Sequence, residues 1–146
     1  MLEEKCAQLG LPPSFVPSAI LVCIDDAAIV AGAQRRLGQI REAEATAARL
    51  LVVARRTVRD YPGSAHSYRI LSEAYNQIKK NAYQTGDKQL IEEAIIHAIQ
   101  AAKKALDLDP DRFETKRHLD VLIGQLDAIK AEMKNRDLPA KPTAVH

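Results

Sequence analysis

The chain has 146 residues, 47% of them hydrophobic but only 4% aromatic, and its 21 basic against 19 acidic residues leave a net charge of +2. That length suffices for one domain whose core needs no disulfide or metal, and so balanced a charge gives no electrostatic case for nucleic acid or an anionic membrane. Abundant alanine suits closely approaching helices better than a sheet of β-branched and aromatic residues, so the expected fold class is all-α.

Residues 1–16 mix charge with Gly10 and the Pro12-Pro13 pair, which denies the backbone helical hydrogen bonds, and read as a lead-in segment. Pro17 and Ser18 suit a helix start. From there to about Leu37, Ile20, Cys23, Ala27, Val30 and Ala31 follow helical spacing; Ile20 to Ile24 alone fit a strand, but length favours the helix.

Gly38 marks a break, and residues 40–60 form a second amphipathic helix with Ala43, Ala47, Leu50, Leu51, Ala54 and Val58 inward. It stops at Tyr61-Pro62-Gly63. Ser64 is placed to cap a third helix running to about Gln84, with Tyr68, Leu71, Tyr75, Ile78 and Ala82 as its buried stripe.

Gly86 closes that helix and Asp87 opens a fourth over residues 88–108, whose stripe of Ile91, Ala94, Ile95, Ala98, Ala102, Ala105 and Leu106 lets a neighbour come close. Pro110 stops it. Asp111 and Glu114 have the offset of a capping box for a last helix carrying Leu119, Leu122, Ile123, Leu126 and Ile129 inward. Residues 17–136 thus make one helical domain, and the tail 137–146, with Pro139 and Pro142, is expected to be mobile. Five helices on short turns run antiparallel to their sequence neighbours, as a closed bundle or as a stack of hairpins.

Residues 64–110 resemble a tetratricopeptide repeat. Tyr68, Leu71, Ser72 and Tyr75 match the pattern of that family's first helix, and Ala98, Ala105 and Pro110 the second, while Ala102 stands where a larger ring is common. Residues 17–62 look like an earlier, degenerate hairpin closed by Pro62, and residues 112–134 like a final solvating helix. Pro62 and Pro110 stand 48 apart, against about 34 in the standard repeat, an excess of about four helical turns that makes this a long-helix variant. The resemblance implies a short stack of about five helices, a tetratricopeptide-like α-solenoid.

The resemblance further implies a concave groove lined by the first helix of each hairpin. Carried over from Tyr68, Leu71 and Tyr75, the groove-facing residues are His66, Arg69, Glu73, Asn76, Gln77 and Lys80, whose steps of three and four put them on one stripe. Arg69, Asn76 and Lys80 suit a peptide carboxylate or acidic side chain, against the alternative of a plain solvated face. On the last helix Arg117, with Glu114 and Val121, would border the same groove. A stack this short leaves apolar ends, and Ile20, Leu21 and Ile24 are candidates for a homodimer contact unless they pack on residues 40–60.

Chemistry is not signalled. The cysteines and histidines Cys6, Cys23, His66, His97, His118 and His146 lack paired metal-ligand spacing. Asp107, Asp109 and Asp111 mimic a calcium loop until Arg112, where a glycine is required. No serine or cysteine sits in a nucleophile elbow and no glycine-rich phosphate loop follows a strand. Asp25 and Asp26, about 100° apart on a helix, read as a polar edge. The basic groups Arg35-Arg36, Arg55-Arg56-Arg59, Lys79-Lys80 and Lys103-Lys104 read as complements to helix dipoles rather than a nucleic-acid stripe.

Two cysteines are too few for a disulfide framework, which points to a reducing compartment, the cytoplasm. Met1 to Lys5 lack the basic start of a secretory signal, and Asp25 and Asp26 break the apolar run from Ala19, so no membrane insertion is expected. The expected function is a non-enzymatic module without cofactor or metal that binds a protein or peptide partner. The alternatives are a structural or regulatory appendage of a larger protein such as a kinase or secretion component, a self-associating scaffold, and, last, a helical bundle with a ligand or catalytic pocket.

Overall fold

The computed structural model describes residues 15–137, and the expectations for the lead-in and the tail lie mostly outside them. Five helices follow one another: α1 Phe15–Arg36, α2 Ile40–Asp60, α3 Ala65–Thr85, α4 Lys88–Leu108 and α5 Phe113–Asp137. The chain is all-α, with no strand among the described residues. The first helix begins at Phe15, ahead of the expected Pro17 start, and Pro17 is accommodated in the first turn, where its missing N–H has no intrahelical partner to lose.

The breaks behave as their residues dictate. Gly38 and Gly86 both take φ of 75°, the left-handed conformation that ends a helix at no steric cost to glycine. Asp87 caps α4 by accepting from the Leu90 N–H at 3.1 Å. Two expected caps differ. Ser64 precedes α3 without a side-chain cap bond, and the turn is instead tied by Ser67 Oγ donating to the Tyr61 carbonyl at 2.8 Å. Glu114 pairs with Arg112 Nε at 3.0 Å, so its carboxylate serves an ion pair where a capping box would turn it to the backbone.

Each helix packs on its successor, and α1 also packs on α3. One apolar cluster joins the first three helices through Ile24, Leu50, Ala54, Ile70 and Ala74; a second joins the last three through Ala82, Ile91, Ile95, Ile99, Leu122 and Ile129. Helix α3 serves both. Ala94, Ala98, Ala101, Ala102 and Ala105 are all buried, so α4 approaches α3 closely along a strip without bulky side chains.

Three polar links repeat one register. Arg35 Nη1 donates to Asn81 Oδ1, Ser72 Oγ meets His118 Nε2, and Lys79 Nζ donates to Gln125 Oε1, each across a sequence separation of 46. The first joins α1 to α3 and the other two join α3 to α5, so successive hairpins are laid side by side with one offset. That is the geometry of a stack rather than of a closed bundle.

Two expected inward stripes are corrected. On α1, Cys23 and Val30 face solvent, Val30 at 52% exposure, while Ile24 and Ala31 are buried. Wedged against both α2 and α3, α1 keeps the expected Ile20, Ala27 and Ala31 inward but turns Ile24 to the core in place of Cys23, about 100° round the helix. On α5, Ile123 is 40% exposed because the last helix has neighbours on one side only.

The aspartates do not break α1. Val16–Arg36 is a continuous helix long and apolar enough to cross a membrane by length and composition, with 22% of its most apolar window buried. Asp25 and Asp26 sit at its middle, where two carboxylates are costly in hydrocarbon, and its Ile24 face belongs to the core.

Candidate functional site

The sequence of α3 separates its surfaces. Ile70 and Ala74 enter the core with α1 and α2, and Tyr75 stacks on His97 of α4 with ring centroids 4.8 Å apart. What remains is a polar stripe, Arg69, Ser72, Glu73, Gln77 and Lys80, flanked by α1 on one side and α5 on the other. It forms the floor of a groove made of two cavities, about 340 and 300 Å³, that share Glu73.

In the larger cavity Arg69 is already engaged. Its Nη2 pairs with Asp109 Oδ2 at 2.9 Å and its Nη1 bonds His66 Nδ1 at 3.0 Å. Because a guanidinium only donates, His66 Nδ1 accepts, which fixes the imidazole as neutral with its proton on Nε2. Burial first, then the charges of Arg69 and Arg112, hold the His66 pKa below its ordinary value. Arg69 Nε is buried without a partner.

Across the groove, His118 of α5 meets Ser72. The Ser72 hydroxyl donates to the Ala98 carbonyl at 3.1 Å, so its oxygen accepts from His118 Nε2–H at 3.3 Å. Burial lowers the His118 pKa, the Glu73 carboxylate opposes that, and Lys79 and Lys80 add to the lowering. Both histidines are therefore uncharged structural links at neutral pH.

Glu73 accepts from Gln77 Nε2 at 2.7 Å and faces Asp25 of α1. Burial of one side of Asp25, then the Glu73 charge, then Asp26, raise the Asp25 pKa above its usual 3.8. Among the described residues neither Asp25 nor Glu73 forms an ion pair. In the smaller cavity the charge reverses, with Arg35, Arg36 and Lys80 around Gln77. Arg69 and Arg112 being neutralised by Asp109 and Glu114, the groove is left dipolar: carboxylates at its centre, cations at one end.

The expected groove residues divide accordingly. Arg69, Glu73, Gln77 and Lys80 line it, and His66 supports it through Arg69. Asn76 is 7% exposed, lines neither cavity, and keeps its Oδ1 unpartnered beneath the surface, so it takes no part in a carboxylate clamp. Arg117 is exposed and lines neither cavity, because α5 presents Thr115 and His118 inward and the intervening Arg117 points elsewhere. Ile24, at 3% exposure, is core, and Ile20 and Leu21 pack against the same cluster, which corrects their candidacy as a free dimer face.

Sequence reasoning missed Asp25, Ser72 and His118 as groove residues. The signal was present: Asp25 and Glu73 stand 48 apart, the separation of Pro62 and Pro110, and so occupy equivalent positions on adjacent parallel helices. The Lys79-Lys80 pair is also divided. Lys80 is exposed in the groove, whereas Lys79 is 5% exposed and held by Gln125, with burial and the Lys80 charge lowering its pKa to about 8. It serves packing rather than a helix dipole.

A larger cleft of about 510 Å³ opens between α2 and the junction of α3 with α4, walled by Ala47, Ala48, Leu51, Ile78 and Leu90. Its Asn81 oxygen is satisfied by Arg35, and no buried unpartnered polar atom lines it. No group of three acidic, histidine or cysteine side chains able to hold a metal occurs among the described residues. The class defined so far is an all-α stack of helix hairpins with a dipolar groove. Searches of protein-family models, curated proteins and solved structures find no match to this chain.

Proposed function

We propose that this chain is a non-enzymatic, tetratricopeptide-like interaction module that receives a segment of a partner protein in the groove between α1, α3 and α5. The observation that carries the reading is the state of the groove floor. It combines buried polar atoms left without partners, Gln77 Oε1 and Arg69 Nε, with charges that no ion pair neutralises, Asp25 and Glu73. The buried atoms cost stability unless something else satisfies them, the carboxylates are left open to a partner's charge, and a bound segment with complementary donors and charges answers both. Ser72 and His118 stand at 3.3 Å, but the serine proton goes to the Ala98 carbonyl and not to the imidazole, so the pair serves as a link between helices.

The test is affinity capture from the source cells with wild-type and charge-reversed baits. Because Arg69 holds Asp109, its reversal would damage the fold; Arg36→Glu/Lys80→Glu alters only exposed groove cations. A partner retained by the wild type and lost from that bait supports the groove, and equal retention argues against it.

A second reading, a self-associating scaffold, is favoured by one observation. Helix α1 exposes Val22 at 62% and Val30 at 52%, apolar residues that line neither groove cavity, on the open edge of the stack. Light scattering at rising concentration decides it: a dimer that Val30→Asp abolishes favours self-association, and a monomer throughout removes it.

A further inference from the structure

Resting on the groove reading, we infer that the groove centre is a seat for one basic side chain, an arginine or lysine of the bound segment, received between Asp25 and Glu73 over the amide of Gln77. Three facts converge. Asp25 and Glu73 line the same cavity from adjacent helices, and no cation pairs with either among the described residues. Gln77, 1% exposed, lines the adjoining cavity beside Glu73, and its Nε2 is committed to that carboxylate at 2.7 Å.

That bond fixes which way the amide points, since an ionised carboxylate only accepts. The atom left over is Oε1, an acceptor, and it has no partner. Asp25, Glu73 and Gln77 thus offer only acceptors, two of them charged, and the complementary chemistry is a multiple N–H donor with positive charge; the unpartnered donor Arg69 Nε in the same cavity lies a helical turn from Glu73. A guanidinium, with five donors in a plane, reaches two carboxylates and an amide at once, and an ammonium does so as a point charge.

The flanks restrict the sequence around that residue. Arg36 and Lys80 are exposed at one end of the groove, so a run of basic residues is repelled there and an acidic residue is attracted. Along α3 the step from Glu73 to Lys80 is seven residues, about 10 Å of helix, which an extended peptide covers in about three residues. The fitting motif is a basic residue with an acidic one three positions away.

The probe is the capped hexapeptide acetyl-Gly-Arg-Ala-Ala-Asp-Gly-amide, compared with its citrulline analogue, a neutral isostere of the arginine, and with acetyl-arginine amide. Binding is followed by NMR on the isotope-labelled chain, where the Gln77 side-chain NH₂ reports on the seat directly. The expected result is a shift of that signal and of the Asp25 and Glu73 carboxyl resonances, about tenfold weaker or worse for citrulline and for Asp25→Asn, which alters an exposed rim group without touching the core.

Equal binding of the arginine and citrulline peptides, or no shift with either peptide or the arginine amide, overturns the seat while leaving the groove to its own capture test. Equal affinity for the hexapeptide and the arginine amide supports the seat but tells against a bound segment, since the flanking residues then contribute nothing.

Discussion

Lys79 gives the sharpest stability prediction. It is 5% exposed, its Nζ donates to Gln125 Oε1 at 2.8 Å, and burial with the neighbouring Lys80 charge lowers its pKa from 10.5 to about 8. The unfolded chain keeps the ordinary value. Below about pH 8 both states carry the proton and the fold bears the cost of a buried ammonium; between about 8 and 10.5 the unfolded state binds the extra proton, so stability rises with pH. At about 1.36 kcal/mol per pH unit the full rise is about 3 kcal/mol, reduced somewhat by residual solvent.

Lys79→Met fills nearly the same volume, removes the buried charge and forfeits one hydrogen bond of about 1 kcal/mol. The variant is therefore more stable than wild type by about 1 to 2 kcal/mol at pH 7, and its alkaline rise is absent. Urea unfolding at a series of pH values from 7 to 10 measures both, with the difference between the two chains isolating Lys79 from tyrosines. Parallel curves for the two proteins, or a variant weakened at pH 7 as by an ordinary core truncation, would refute the reasoning.

The remaining predictions test other links. His118 and His66 have lowered pKa values in the fold, so the unfolded state takes up protons first on acidification and stability falls below about pH 6.5; His118→Gln flattens part of that slope in thermal melts followed by circular dichroism. Ile70, at 0% exposure in the cluster shared by α1, α2 and α3, loses about 2 to 5 kcal/mol as Ile70→Ala in chemical denaturation. Gly86→Ala costs about 1 kcal/mol or more through backbone conformation alone, because φ is 75° and nothing lies within 4 Å of the added methyl; an unchanged melting midpoint would show that the turn relaxes freely.

The fold was legible where periodicity was strong and turns were marked. Residues 40–60 and 88–108 carry regular stripes between Gly38, Pro62, Gly86 and Pro110, and α2 and α4 fall there. Helix α1 was harder, because apolar residues occur around most of its circumference and the choice of Ile24 over Cys23 is made by two neighbouring helices rather than by local pattern. The groove was half legible. Steps of three and four on α3 pick out Arg69, Glu73, Gln77 and Lys80, but they do not reveal that Asp109 claims Arg69 or that Asp25 and His118 arrive from helices 46 to 48 residues away. Those partners are set by the register between hairpins, a property of the assembled stack.

The central claim, that the groove and not the outer surface receives a partner, is tested most directly by photo-crosslinking in the source cells from two single positions. One probe replaces Lys80 on the groove floor and the other replaces Val52, which is 51% exposed on α2. A discrete partner segment joined at position 80 and absent at position 52, with a basic residue in the joined peptide, is the expected result. Crosslinks from position 52 alone would contradict it.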